Sequence, residues 1–232
     1  MSVLLTTPPL SVFEHMALDE TLVHTGTCGG VLRFYNWADS PAVTFGYAQF
    51  VREVRRELEQ HAFTGAFCRR PTGGGVVYHR EDLTFSLIFS SQNSPTSIYK
   101  QLHQTIQTAL VADGIQAHVF SQKLPAAAYA PSQHNLANCC FINPVENDLL
   151  LTDGQKMLGG AIRRFGTTVL YQGSVQFPRA RFHPACKKAI IQAVRCFLQT
   201  DLQISAVDKK ILSLARQLAD SQYNTPGWME KF

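Results

Sequence analysis

Apolar residues recur at helical spacing between residues 13 and 24, where Met16, Ala17, Leu18, Leu22 and Val23 form one imperfect stripe. Ser11 lies ahead of the stripe with Glu14 three residues on, the form of a capping box, so the first helix is expected to begin there. A second stripe of Ile98, Leu102, Ile106, Ala109 and Leu110 runs through residues 97–113 and ends at Gly114, a C-terminal stop signal. Residues 51–61 are charged and compatible with a helix. Short runs of β-branched and aromatic residues at 31–35 and 42–45, separated by Asp39-Ser40-Pro41, read as strands joined by a turn. Residues 65–68, 75–78 and 84–89 read as strands around a glycine-rich loop, and 149–152, 156–161 and 169–175 as a further set. From His183 onward two helical patterns follow, the second with Ser205 and Asp208 as start signals. Strands precede and separate helices without regular βα alternation. That order predicts an α+β fold, a sheet with helices on one side.

Composition narrows the class. The 232 residues are 45% hydrophobic and 16% charged, the profile of a globular chain with a substantial core. No apolar run approaches the ~18–20 residues that cross a bilayer. The first ten residues carry Pro8-Pro9 and no basic segment ahead of an apolar stretch, unlike a secretory signal. A cytoplasmic location away from membranes is expected. Six cysteines, at 28, 68, 139, 140, 186 and 196, are too few and too irregular for a disulfide framework, and with the scattered histidines they complete no zinc pattern, so no metal site is expected. The net charge of +4 includes the basic pairs Arg69-Arg70, Arg163-Arg164, Lys187-Lys188 and Lys209-Lys210. These are either a solvated surface or a positive rim that steers an acidic partner or anionic ligand. Without a long basic stripe or a recognition-helix pattern, nucleic acid is not an expected partner.

Three segments carry candidate chemistry. In the stretch from Arg69 and Arg70 to His79, the consecutive Gly73, Gly74 and Gly75 let backbone amides approach an anion; a flexible hairpin loop is the bland alternative. Neither a Walker loop nor a dinucleotide fingerprint is present. The second segment runs from the Asp153-Gly154 turn into a strand begun by Lys156, whose Gly159, Gly160 and Ala161 leave room for a ligand chain against the backbone. Lys156 is either a surface lysine or a partly buried ammonium holding a carbonyl oxygen or phosphate. The third is Asn138-Cys139-Cys140-Phe141-Ile142-Asn143-Pro144, which reads as loop and sets thiols where solvent reaches them, or else buries them as inert residues.

Together these segments resemble the biotin/lipoate protein ligase superfamily, in its branch of lipoate-protein ligases and cysteine-dependent octanoyltransferases. The resemblance covers most of the chain. Met16-Ala17-Leu18-Asp19-Glu20 is similar to the family's first-helix motif, and Arg33-Phe34-Tyr35-Asn36-Trp37 with Pro41 to Gln49 to its following stretch. Arg69 to His79 matches the Arg-Arg-x-x-Gly-Gly signature, Lys156 falls on the binding lysine, and Leu170 to Val175 resembles the next strand. His15 and Arg80 depart from the residues common among relatives. The glycine loop lacks the Gly-Arg-Gly-Arg of biotin ligases, whereas Cys140-Phe141 matches the place of the nucleophile in one octanoyltransferase class.

The resemblance implies one catalytic domain over residues 1–232, like that of class II aminoacyl-tRNA synthetases and biotin ligases: a mixed sheet flanked by helices. It implies a C-terminal helical segment at about 180–232 and no separate accessory domain. Cys140 and Lys156 would be catalytic. Arg69, Arg70, Gly73, Gly74, Gly75, Tyr78, His79, Gly159, Gly160 and Ala161 would bind substrate. The thiolate would accept an octanoyl or lipoyl group from an acyl carrier protein and pass it to a lysine. That lysine belongs to a lipoyl domain of a 2-oxoacid dehydrogenase complex or to a glycine-cleavage H protein, and no cofactor is required. His79 is a candidate proton carrier or a structural histidine, and Val77, Tyr78 and Phe85 are candidate lining for an acyl tunnel. The alternatives are a lipoate-protein ligase using ATP and Mg2+ through an acyl-adenylate, and a non-catalytic acyl-binding module.

Overall fold

The computed structural model describes residues 1–26, 29–122, 141 and 143–232. In chain order the elements are β1 (Ser2–Thr6), α1 (Val12–Thr25), β2 (Val31–Phe34), β3 (Ala42–Phe45), α2 (Val51–Gln60), β4 (Phe67–Arg69), β5 (Val77–His79), β6 (Leu83–Ser90) and α3 (Pro95–Ala112). There follow β7 (His118–Val119), β8 (Leu149–Leu150), β9 (Lys156–Phe165), β10 (Thr168–Val175), α4 (Pro184–Leu198), β11 (Leu202–Ala206), α5 (Lys209–Leu218) and α6 (Pro226–Met229). The capping box forms as its residues require. Glu14 N–H donates to Ser11 Oγ at 3.2 Å, and Ser11 N–H to Glu14 Oε2 at 2.8 Å.

Eight strands form one mixed sheet in the order β11-β1-β2-β6-β10-β9-β8-β7. β1 pairs parallel with β11 and β2, and the remaining neighbours are antiparallel. β3 lies between β4 and β5 in a separate small sheet. The strands on either side of the Asp39-Ser40-Pro41 turn therefore belong to different sheets, and the glycine-rich loop connects two strands that both pair with β3 rather than with each other.

Helices cover both faces of the large sheet, not one. Leu87, Val169 and Tyr171 face a core with Leu102 and Ile106 of α3 and Ile190 of α4, while Ile88 and Leu170 face a second core with Leu18 and Leu22 of α1 and Ala215 of α5. Alternate residues of β6 and β10 are thus apolar toward both layers. A doubly covered strand loses the polar alternation that marks a one-sided sheet. The C-terminal segment also differs from its helical reading. Ser205 lies in edge strand β11, and Asp208 alone caps the following helix, accepting from Lys210 and Ile211 N–H.

Candidate active site

The floor of the site is the pairing of β9 with β10, where Gly159, Gly160 and Ala161 lie opposite Ser174, Gly173 and Gln172. A half-open cavity over this patch is walled by Met16, Tyr35, Thr44, Arg70, Val77 and His79 and reaches Phe141 and Lys156. It is narrow, with a volume of about 40 Å³. An open groove of about 990 Å³, bordered by Tyr78, Arg80, Phe177 and Pro178, shares Phe141 and Lys156 with it. Those two residues stand at the neck between the cavity and the groove.

Lys156, the first residue of β9, is buried. Its Nζ lies 2.8 Å from Asp148 Oδ2, both side chains being nearly inaccessible, and 5.0 Å from the centre of the Phe141 ring. Asp148 also accepts from the Val145 N–H at 2.6 Å and from the Tyr99 hydroxyl at 2.5 Å. Burial, reinforced by the Asp148 charge, raises the Tyr99 phenol well above its ordinary pKa and keeps it a donor. Tyr99 in turn accepts from the Gly160 N–H at 3.0 Å, and its ring stacks on His103. His103 donates from Nδ1 to the Asn147 carbonyl at 2.8 Å and accepts the Tyr171 hydroxyl at Nε2, 2.7 Å away. Burial brings His103 down to about 3, so it is neutral and this tautomer satisfies both partners.

The bare strand serves these side chains. A Cβ on Gly159 would stand 2.4 Å from Lys156 Cε, and one on Gly160 would stand 2.4 Å from the Tyr171 hydroxyl. Gly173 is closed in the same way by Tyr171 and by Phe85, which packs in the core and does not line the cavity. The small residues leave room for Lys156 on one face and Tyr171 on the other.

The two arginines of the glycine-rich segment take different roles. Arg70 lines the cavity and is wrapped by the loop: its guanidinium donates to the carbonyls of Gly73 and Gly75, each at 2.8 Å, and to Thr44 Oγ1 at 2.9 Å. Gly74 has φ +89°, which favours glycine, and its carbonyl lies against Gly46. The three glycines do not themselves line the cavity. Arg69 points away from it and donates to the carbonyls of Tyr47, Gln49, Trp228 and Met229, clamping α6 onto the small sheet.

His79 lines the cavity, yet both ring nitrogens are engaged, Nε2 by Thr44 at 2.8 Å and Nδ1 by Asp82 and Thr84 at 2.9 and 3.1 Å. Its ring stacks on Trp37. Burial opposes ionisation of Asp82, but the charge of His79 and hydrogen bonds from His79, Thr84 and Ser174 hold its pKa below the usual carboxylate value. These contacts fit a residue that fixes the wall better than one that shuttles protons. Tyr78, adjacent on the strand, faces the outer groove.

Beneath the wall lies a buried polar network that the sequence motifs contained without announcing. Asp19 accepts from Arg33 Nε at 2.6 Å, from Ser86 at 2.6 Å, from Gln172 at 2.8 Å and from the Tyr35 hydroxyl. His15 accepts from Arg33 at Nδ1 and donates to the Asn36 carbonyl, and burial followed by the Arg33 charge holds its pKa well below the usual imidazole value. Thr72 donates to Gln172 Oε1 at 2.6 Å, tying the glycine-rich loop to the floor.

Cys139 and Cys140 lie outside the described residues, as does Cys28. Among the described cysteines, burial pushes Cys68 well above the usual thiol pKa and Cys186 up to about 12, and Cys196 lies on α4, away from the cavity. The residues that sequence reasoning missed are Asp148, Tyr99, His103 and Tyr171. Asn147-Asp148 directly before a strand was the available signal.

Comparison with known proteins places this geometry. A family model described as lipoyl protein ligase A/B catalytic domain matches residues 11–216. Octanoyltransferase LipM of Halalkalibacterium halodurans is 32% identical over 171 residues, which cover 69% of this chain and 60% of that protein. Octanoyltransferase LipM of Brevibacillus brevis is 26% identical over 231 residues, covering 92% of this chain and 82% of the relative. A crystal structure of lipoate-protein ligase A bound with ATP superposes with a TM-score of 0.76 at 23% identity, covering 99% of both chains.

Proposed function

Because the chain belongs to the lipoyl protein ligase A/B catalytic-domain family, we propose that it transfers an octanoyl group from a carrier-protein thioester to a lysine of a lipoyl domain or H-type protein, through a thioester on Cys140. The observation that carries this reading is the position of Phe141. Its ring faces the Lys156 ammonium at the neck of the apolar cavity, and one peptide bond joins it to Cys140. A cation beside a thiol favours the thiolate. The thiolate sulfur attacks the carbonyl carbon of the carrier thioester, a new C–S bond forms, and the carrier sulfur leaves and takes up a proton. The acceptor amine then attacks the Cys140 thioester, giving an amide, releasing a proton and restoring the thiolate. With the Gly160 N–H already given to Tyr99, Lys156 supplies the positive charge that meets the developing oxyanion. Octanoyl or lipoyl carbons lie over the Gly159–Gly173 floor, and no cofactor enters this sequence of steps. Donor and acceptor of this kind fit the expected cytoplasmic location, and among the described residues no helix is long and apolar enough to cross a membrane.

Likeness to an ATP-bound ligase favours a second reading, in which the open groove beside Lys156 receives a nucleotide and the acid is activated as an adenylate. Intact-mass measurement after incubation with octanoyl-acyl carrier protein separates the two. The transferase gives a protein heavier by one octanoyl group without ATP, lost in Cys140→Ser and kept in Cys139→Ser. A Cys140→Ser enzyme that lipoylates its acceptor from lipoate and ATP would overturn the nucleophile assignment and establish the ligase.

A further inference from the structure

Residues 80–82 wall the groove and are tied to the turn after β10, which the chemistry above does not use. Phe182, on the short 3-10 turn Ala180–Phe182, is 63% exposed, the most accessible aromatic side chain among the described residues. Arg179, three residues earlier, and Arg80, whose guanidinium lies over the Tyr78 ring, are exposed as well. Arg179 adopts φ +60°, a left-handed conformation uncommon for a residue with a side chain, and Glu81 holds it by accepting the Arg179 N–H at 3.1 Å. The Arg181 N–H donates to the Glu81 carbonyl at 2.7 Å, so the turn is fixed to the strand connection that bears Arg80. Arg181 faces the buried Asp82 at 3.6 Å, which balances its charge. Arg80 and Glu81 line this wall with Asp82, Asp153 lies across the groove, and Arg179 is tied to Glu81 just outside it.

A strained turn that is rigidly held while presenting an exposed aromatic ring close in sequence to basic residues suits recognition of a protein, and the sign of the charge selects an acidic one. We propose that this turn, with Phe182 as anchor and Arg80 and Arg179 as its charged flanks, docks the small acidic carrier domain that delivers the acyl group. The proposal rests on the transferase reading of the same site. Once the acyl chain is in the cavity and its carbonyl at Lys156, the thiol arm has to leave along the outer groove. Its volume of about 990 Å³ is far larger than an acceptor lysine requires and suits a long prosthetic arm ending at this rim. The net charge of +4 steers the same partner over longer range.

Arg179→Glu and Phe182→Ser test the surface without touching residues that line the cavity or the groove. Transfer to a lipoyl domain is measured from octanoyl-acyl carrier protein and from the uncharged octanoyl thioester of N-acetylcysteamine, and binding of the unacylated carrier is followed directly by fluorescence anisotropy. Each variant is expected to weaken carrier binding at least tenfold and to raise KM for the carrier donor by a similar factor. The salt dependence should be shallower for Arg179→Glu. Turnover of the small thioester and the KM for the acceptor domain should stay within twofold of the parent enzyme. Unchanged carrier binding, an equal loss with both donors, or a rise in acceptor KM in place of donor KM would each overturn the assignment. An enzyme that binds the carrier at this turn but transfers from neither thioester without ATP would retain the docking surface and remove the transferase reading.

Discussion

Lys156 and Asp148 form a buried pair whose members depend on each other, and this separates catalysis from stability at single residues. Removing one partner of a buried ion pair leaves a desolvated charge and costs about 3–5 kcal/mol. Here Tyr99 and the Val145 N–H continue to donate to Asp148, which lowers the loss toward the bottom of that range. Lys156→Ala is therefore expected to lose about 3 kcal/mol of stability and at least ~100-fold in transfer rate. Combining Lys156→Met with Asp148→Asn should restore most of the stability in urea unfolding and none of the activity. Recovery of transfer in the double variant would show the ammonium to be dispensable. Arg69 and Arg70 are the companion case at this scale. Adjacent residues at a strand end point to opposite sides, so one guanidinium enters the cavity wall and its neighbour clamps α6. The same alternation sends His79 inward and Tyr78 to the groove.

At the scale of elements, the glycine-rich loop is held by close backbone contact. A Cβ on Gly46, just after β3, would stand 1.8 Å from the Gly74 carbonyl oxygen, and neither backbone segment can yield as a flexible side chain would. Gly46→Ala should displace the loop and Arg70 with it, costing about 1–3 kcal/mol and most of the transfer rate. A Cβ on Gly73 meets nothing within 4 Å, so Gly73→Ala should behave as the parent protein in thermal unfolding and transfer assays. Equal behaviour of the two variants would show the loop to be loosely held. The sequence made this loop legible through its three glycines, together with the strands beside it, because turn chemistry and β-branched runs are local signals. β1 and β11 were hidden by contrast. β1 is five residues long and is followed closely by Pro8-Pro9, while β11 is an exposed edge strand lying directly before a true helix cap at Asp208. The strand that Lys156 begins was legible from its residue pattern, and Lys156 itself from the family resemblance. Asp148 was not, since what makes it part of the site is Tyr99, 49 residues earlier on α3.

The molecule as a whole carries neutral imidazoles on both sides of its sheet, His15 on α1 and His103 on α3, and a buried carboxyl, Glu57, on α2. Their effects on stability have opposite signs. Both histidines have folded pKa values below the ordinary 6.5, so as pH falls below 6.5 the unfolded chain takes up protons that the fold refuses. The stability they contribute is complete above pH 6.5 and is lost on acidification. Burial pushes Glu57 up to about 7 from 4.5, with Tyr78 opposing, so between those values the unfolded chain releases a proton that the fold retains. Stability from Glu57 is therefore lost as pH rises from 4.5 to 7. Two imidazoles against one carboxyl leave a net rise of about 1.4 kcal/mol per pH unit midway between pH 4.5 and 6.5. Below pH 4.5 the slope steepens, because the lowered pKa of Asp82 adds in the direction of the histidines. Glu57→Gln removes the opposing group. Urea unfolding of that variant is expected to match the parent protein near pH 4.5, to rise about twice as steeply up to pH 6.5, and to show a more stable protein at pH 8. Parallel stability curves for the two proteins across this range would mean that the Glu57 carboxyl is ionised in the fold at the same pH as in the unfolded chain.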